Sequence, residues 1–327
     1  MTDEIRNILC CDWGSSSFRM LLVDRRDMKV VGQVTNGEGI FKCFEKWKEK
    51  HKEKTRIEFY YKRISRAIQK IESELQCNLR NVPVVISGMA SSNLGMREIT
   101  YSPIPFQLDG SDLITQRILV KKKKQWEREI FLISGAENAR DTMRGEETLV
   151  IGVNQGGHQK ILYIIPGTHS KHIIGENQQV TDVKTYMTGE FFNLLASHSI
   201  LKNSVDRDKT KGFGQFISAF CEGVKAGAST NILHAAFSVR VNQLFTKMDA
   251  FSNYYYLSGM LIGAELLDIF KTGISDIIVI ADREKTILYR KAFDTLQEAS
   301  TLSLRFEDAS TALVRGQLKI YAAHKSH

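Results

Sequence analysis

The sequence predicts an α/β fold made of two βββαβα halves around a cleft, and three observations predict it. A pair of short apolar runs joined by a polar, glycine-containing turn occurs twice, at residues 6–23 and again at 160–174. Each pair is followed by segments with helical apolar spacing and by further apolar runs of strand length. The chain has 327 residues, enough for two domains of roughly 150 residues that each bury a core.

In order, residues 6–11 form an apolar run that ends at Asp12-Trp13-Gly14-Ser15-Ser16-Ser17, and 18–23 is apolar again, as in a hairpin. A third run at 30–34 completes a meander, followed by a helix at 64–75 and a buried strand at 82–87. Residues 129–133 read as a strand, and 137–153 as a helix carrying Asp141, Arg144, Glu146 and Glu147 near its start. The second cycle opens at 160–165, turns at Pro166-Gly167-Thr168-His169-Ser170-Lys171 and continues through 172–174. Helices are predicted at 189–199, at 212–245 with a break, and at 258–270, before a strand at 277–281. A helix at 284–296, a strand at 302–306 and a helix at 310–323 close the chain. The first domain is placed at 1–155 and the second at 156–309, with the last helix packing back on the first.

Composition narrows the class. The formal charge of +8 comes from 45 Lys+Arg against 37 Asp+Glu, partly in two basic runs at 46–63 and 121–124. Glu45, Glu49, Glu53 and Glu58 punctuate the first run at spacings that suit ion pairs along a solvated helix. The second reads as a polar loop before a strand. Neither has the unmixed basic character of a nucleic-acid footprint, although the excess charge would help attract an anion. No apolar run approaches the roughly 20 residues that span a bilayer. The first residues lack a basic segment leading into an apolar one, so a soluble, cytoplasmic protein is expected. Five cysteines without CxxC spacing argue against a disulfide framework or a zinc site.

The two turns carry the chemistry. A tight turn between strands can aim several N–H and hydroxyl donors at one phosphate. In the first, Gly14 relieves backbone crowding, Ser15, Ser16 and Ser17 offer hydroxyls, Arg19 adds charge, and Asp12 is placed to orient Mg2+ through water. In the second, Gly167 makes the bend, Thr168 and Ser170 supply hydroxyls, and Lys171 a cation. Taken alone, such clusters are usually hairpin turns without a ligand. Their recurrence points to a triphosphate held by both.

Six blocks then carry a family resemblance: Asp12-Trp13-Gly14-Ser15-Ser16-Ser17-Phe18-Arg19, Ser87-Gly88-Met89-Ala90-Ser91, Met143-Arg144-Gly145-Glu146-Glu147-Thr148, Pro166-Gly167-Thr168-His169-Ser170-Lys171, Met187-Thr188-Gly189-Glu190, and Leu257-Ser258-Gly259-Met260-Leu261-Ile262-Gly263-Ala264-Glu265. In this order they resemble the 2-dehydro-3-deoxygalactonokinases of the sugar kinase, actin and Hsp70 superfamily. The resemblance implies a two-domain actin-like ATPase (ribonuclease H-like) fold with a hinged cleft. It implies ATP-dependent phosphorylation of the terminal hydroxyl of 2-dehydro-3-deoxy-galactonate to the 6-phosphate, with Mg2+.

The sugar acid would lie on the first domain and the nucleotide on the second. ATP is expected at both turns, His169 included, and at Ser258, Gly259, Gly263, Ala281 and Asp282. Asp141 is the candidate base, with Glu146 in reserve. Ser87, Gly88, Met89, Arg97, Arg144 and Thr188 are candidate contacts to the sugar acid, whose carboxylate suits an arginine fork. Each has a structural alternative: Asp141 as a helix-start charge, Arg144 or Arg97 as a surface ion pair with Glu147 or Glu98, Thr188 as a helix cap, His169 as a polar loop residue. The chain departs from the family pattern at 95–98, at His172 and at Ala281. Another sugar kinase of the superfamily, or a nucleotide-binding regulator, is the alternative. The partners expected are the sugar acid and ATP, not nucleic acid or membrane, and a homo-oligomer is compatible.

Overall fold

The computed structural model describes residues 6–50, 55–122, 126–154, 156–157, 159–207, 212–296 and 301–325. Two compact units divide the chain: Met1–His158 with Gly175–Val183 and Ala309–His327, and Gln159–Ile174 with Lys184–Asp308.

The first unit begins with the expected meander: β1 (Asn7–Trp13), β2 (Phe18–Asp24) and β3 (Lys29–Asn36). Residues 8–11 of β1 are all buried because it is a central strand, antiparallel to β2 and parallel to β4 (Val84–Gly88). Such strands read as continuous apolar runs rather than alternating ones. Between them lie α1 (Ile40–Lys50) and α2 (Arg56–Leu75), so the first basic run is two helices, with 51–54 outside the described residues. Thr55 starts α2 with a capping box: its hydroxyl accepts the Glu58 N–H, and the Glu58 carboxylate accepts the Thr55 N–H. Phe59, Tyr60, Ile64, Ala67, Ile68 and Ile71 then form the buried stripe of α2.

Short strands β5 (Ser102–Pro103) and β6 (Phe106–Gln107) precede the antiparallel pair β7 (Thr115–Lys122) and β8 (Trp126–Ile133). Lys121 therefore belongs to a strand, not a loop, where it pairs with Glu127 at 2.7 Å; Lys123 and Lys124 fall outside the described residues. The predicted helix at 137–153 is also corrected. Its first half is β9 (Ala136–Glu137) and β10 (Thr142–Met143), and only α3 (Glu146–Val153) is helical. Gly145, at φ +115°, makes the sharp entry that a side chain would strain.

The plan repeats with β11 (Ile161–Ile165), β12 (Ser170–Glu176) and β13 (Gln179–Tyr186), of which residues 175–183 group with the first unit. Four helices follow: α4 (Thr188–His198), α5 (Ile217–Ser229), α6 (Ile232–Leu244) and α7 (Ala250–Leu266). Then come β14 (Asp276–Ala281), α8 (Arg283–Thr295) and β15 (Ser303–Asp308). The final α9 (Ala309–Ala323) belongs to the first unit.

Strand order is β3-β2-β1-β4-β8 in one sheet, extended by β7, and β13-β12-β11-β14-β15 in the other, extended by β6. The order 3-2-1-4-5 occurs twice, which is the duplicated ribonuclease H-like plan. Each unit also holds one helix crossing where backbones touch. A Cβ on Gly152 or Gly316 would lie within 2 Å of a carbonyl of the facing helix, α9 or α3. Between α5 and α7, a Cβ on Gly223, Gly227, Gly259 or Gly263 would lie 1.9–2.2 Å from a carbonyl of the facing helix. No described helix is long and apolar enough to cross a membrane, and all five cysteines are free.

Candidate functional site

In the first unit the candidate residues collect at the carboxyl ends of parallel β1 and β4, where open α/β sheets hold their ligands. Register sets Asp12 beside Ser87 and Trp13 beside Gly88. Gly88 has φ +89°, and a Cβ there would meet the Trp13 carbonyl at 2.9 Å and the Asp12 carboxylate at 3.5 Å. The space over these strand ends is therefore left to backbone and to Asp12. Arg19, opposite Asp12 on β2, pairs with it at 3.2 Å and also donates to the Ser310 hydroxyl of α9. Burial pushes the Asp12 carboxyl up, Arg19 opposes this, and the Glu146 charge adds to the rise.

The Gly14 turn is closed by its own N–H donating to the Ser17 carbonyl at 2.9 Å, and Ser16 and Ser17 are exposed. It rests against the start of α1, where a Cβ on Gly39 would lie 2.3 Å from the Ser15 carbonyl.

Glu146 and Glu147 open α3. Glu146 accepts the Arg144 N–H at 2.8 Å. Glu147 is wholly buried, accepting from the Gly145 N–H at 2.7 Å and the Thr148 hydroxyl at 3.1 Å. Burial, reinforced by the Glu146 charge, pushes its carboxyl up to about 7. A surface ion pair between Arg144 and Glu147 is thus corrected, because a 0% exposed carboxyl is no surface partner. Arg144 instead lies 4.0 Å from the Tyr101 ring, and its Nη1 donates to the Ser91 carbonyl and hydroxyl at 2.8 and 2.7 Å. Its Nε is buried with no hydrogen-bond partner among the described residues.

Asp141 is not at a helix start. It occupies the turn between β9 and β10, where its N–H donates to the Asn138 side chain at 2.7 Å and its carbonyl accepts the Asn138 N–H at 3.0 Å. Ser87, at the end of β4, is buried, and its hydroxyl accepts from Gln317 of α9 at 2.9 Å. Met89 is half-buried on the strand-end turn, and Arg97 is exposed, with only its backbone N–H bonded, to the Ala90 carbonyl.

In the second unit a cavity of about 270 Å³ lies beside the β11–β12 turn. Gly167, Thr168, Thr188, Ser258 and Lys285 supply polar lining, and Phe192, Tyr254, Tyr255 and Leu288 apolar walls. The Gly167 N–H donates to the Ser170 hydroxyl at 3.3 Å, and the Thr168 carbonyl accepts the Glu190 N–H at 3.0 Å. The first turn of α4 presses on this hairpin: a Cβ on Gly189 would meet the Gly167 carbonyl at 2.6 Å.

His169 is exposed and paired with Glu190. Thr188 does not cap α4, whose cap position is Met187; its hydroxyl donates to Glu265, and it lies in the second unit rather than with the sugar candidates of the first. Gly259 and Gly263 face α5 across backbone contacts, and Ser170 is wholly buried, so none of the three presents itself to the cavity. Ala281 is buried at the end of β14, and Asp282 caps α8 by accepting the Lys285 N–H at 2.9 Å.

Sequence reasoning gave no site role to Glu147, Glu265, His172 or Tyr289, which the structure buries with hydrogen-bond partners. Two acids and a histidine inside apolar runs were the available signal, because buried ionisable groups require partners.

The duplicated ribonuclease H-like plan, with hydroxyl-bearing turns repeated in both units, defines an actin-like fold. The family model for 2-keto-3-deoxy-galactonokinase matches residues 12–320, and the chain belongs to that family. It is accordingly a phosphotransferase with an alcohol acceptor. The 2-dehydro-3-deoxygalactonokinase of Escherichia coli (strain K12) is 30% identical over 217 residues, 65% of this chain and 71% of the relative. A candidate enzyme of the same name from Rhizobium meliloti (strain 1021) is 28% identical over 320 residues, 93% of each chain. A crystal structure of a candidate 2-dehydro-3-deoxygalactonokinase from Sinorhizobium meliloti superposes with a TM-score of 0.72 at 25% identity, covering 98% of this chain and 96% of that one.

Proposed function

We propose that the chain transfers the γ-phosphoryl group of ATP to the terminal hydroxyl of 2-dehydro-3-deoxy-galactonate or a close sugar acid, giving the 6-phosphate. Family membership supports the reaction, and Arg144 carries the choice of an acid substrate. Its guanidinium is held by Ser91 and Tyr101, yet a buried Nε–H has no acceptor. A buried unmet donor costs about 1–3 kcal/mol, so the site favours an incoming anion. A substrate carboxylate satisfies both the donor and the charge.

Asp141 receives the proton of the attacking hydroxyl late in transfer, as suits a carboxylate in a reaction driven by positioning and electrostatics. The Asn138 turn fixes its backbone. Nucleotide occupies the second-unit cavity, the base against Tyr254, Tyr255 and Phe192 and the phosphates toward Gly167 and Thr168.

Among the described residues no three metal-binding side chains are gathered, so there is no all-protein cage. Mg2+ usually keeps several waters and takes one or two carboxylates plus phosphate oxygens. Asp12 and Glu146, neighbours by their electrostatic coupling, fit that donor set. Bound there, the ion would neutralise charge on the transferring phosphates.

A coupled ADP-release assay over sugar acids and matched neutral sugars tests the reading. Turnover is expected for the acids. Arg144→Lys should raise their KM at least about tenfold, since lysine cannot reproduce the planar fork. Neutral sugars phosphorylated as well as any acid, with Arg144→Lys unaffected, would remove the carboxylate from the account.

A further inference from the structure

Glu265, near the end of α7, is 3% exposed and lies among groups from three other elements. Its carboxylate accepts from the Tyr289 hydroxyl of α8 at 3.0 and 2.9 Å, from the Thr188 hydroxyl at the start of α4, and from His172 Nε2 of β12 at 3.1 Å. The His172 ring is itself packed on Tyr186 at 4.5 Å between centroids.

The Tyr289 oxygen lies 3.4 Å from the Ser170 hydroxyl, which accepts the Gly167 N–H. Since Tyr289 gives its proton to Glu265, Ser170 must donate to Tyr289. The direction is then fixed throughout: Gly167 N–H to Ser170, Ser170 to Tyr289, Tyr289 to the carboxylate. Glu265 does not line the cavity, whereas Gly167, Thr188 and Tyr289 do.

We infer that Glu265 is a positioning residue for the phosphates of the nucleotide, acting through the β11–β12 turn and the first turn of α4. The inference rests on the nucleotide reading of the cavity given above. A buried carboxylate with three donors offers two charged acceptor oxygens and no donor of its own. That pattern permits one arrangement of Tyr289, Thr188 and Ser170, and hence one setting of the Gly167 N–H. The described partners of Glu265 are His172, Thr188 and Tyr289, of which Thr188 and Tyr289 line the cavity, and not the apolar walls that would take the base. The network therefore governs the phosphate end of the ligand rather than its base.

Glu265→Gln tests this. The amide keeps shape but places an N–H2 donor against three donors, so at least one partner must turn away. By calorimetry the affinity for Mg-ATP should fall on the order of tenfold, the scale of one hydrogen bond to a charged group. Affinity for adenosine should stay unchanged, so the ATP-to-adenosine affinity ratio collapses. A purely structural role would instead lower both affinities together with the melting temperature. Should Glu265→Gln fail to fold, Tyr289→Phe breaks the same link while keeping the ring, and the same change in ratio is expected. Parallel loss of ATP and adenosine, or loss of neither, in folded variants overturns the inference alone. A wild-type chain that binds neither ligand overturns both it and the reading it rests on.

Discussion

The buried Glu147 carboxyl should make the protein less stable as pH rises, and Glu147→Gln should remove that dependence. Below pH 4.5 the group is protonated folded and unfolded alike. Between 4.5 and about 7 the unfolded chain loses this proton while the folded one keeps it, because burial and the Glu146 charge hold the native value near 7. Stability contributed by the group is therefore fully present below the unfolded value and is lost as pH climbs to the folded one, levelling off above. At 1.36 kcal/mol per pH unit over that interval, the loss is about 3 kcal/mol. Glutamine accepts the Gly145 N–H as glutamate does but does not titrate. Urea unfolding of both proteins from pH 4 to 8 gives the difference directly. The variant should gain about 3 kcal/mol relative to wild type between the ends of the series. A difference that is flat with pH, or that shrinks as pH rises, refutes the assignment of a neutral carboxyl at the start of α3.

Two further outcomes test the site. Asp141→Asn should lower kcat on the order of a hundredfold or more, the usual scale for a lost general base, with Mg-ATP affinity kept by calorimetry. Unchanged turnover moves the role to Glu146. Gly189→Ala should weaken nucleotide binding and lower the melting temperature, because its methyl would lie 2.6 Å from the Gly167 carbonyl and 2.8 Å from the Thr168 Cα, both backbone. Wild-type nucleotide affinity in that variant would mean that α4 need not touch the hairpin.

The duplicated topology was legible because each central strand is buried on both faces and so reads as an unbroken apolar run. The register of 137–153 was not. Helix-compatible residues there conceal a glycine at φ +115°, which ends two short strands and delays the helix to Glu146. A long-range contact was likewise hidden at Gly259 and Gly263: the predicted helix is present, but the sequence does not show that the α5 backbone passes over these glycines. Thr188 has a capping residue's chemistry but stands one position inside α4, after the cap Met187, and the acceptor of its hydroxyl, Glu265, lies 77 residues away. Local pattern carries no information on such a partner.

The two turns look alike in sequence and differ in chemistry. Each places a cation at the second residue of the strand that follows, Arg19 on β2 and Lys171 on β12. Arg19 is compensated within its own unit by Asp12. Lys171 is 7% exposed, and no carboxylate is paired with it among the described residues. A buried ammonium without an anion is costly, and a phosphate is the group that would relieve it. The hydroxyls divide in the opposite sense: Ser16 and Ser17 remain exposed because the Gly14 turn closes on a carbonyl, whereas Ser170 is consumed closing its own turn. The first turn thus offers hydroxyls beside a neutralised pair, and the second a bare cation on a turn whose geometry is held from behind. The uncompensated charge of Lys171 therefore supports the proposal that the nucleotide phosphates lie beside the second turn.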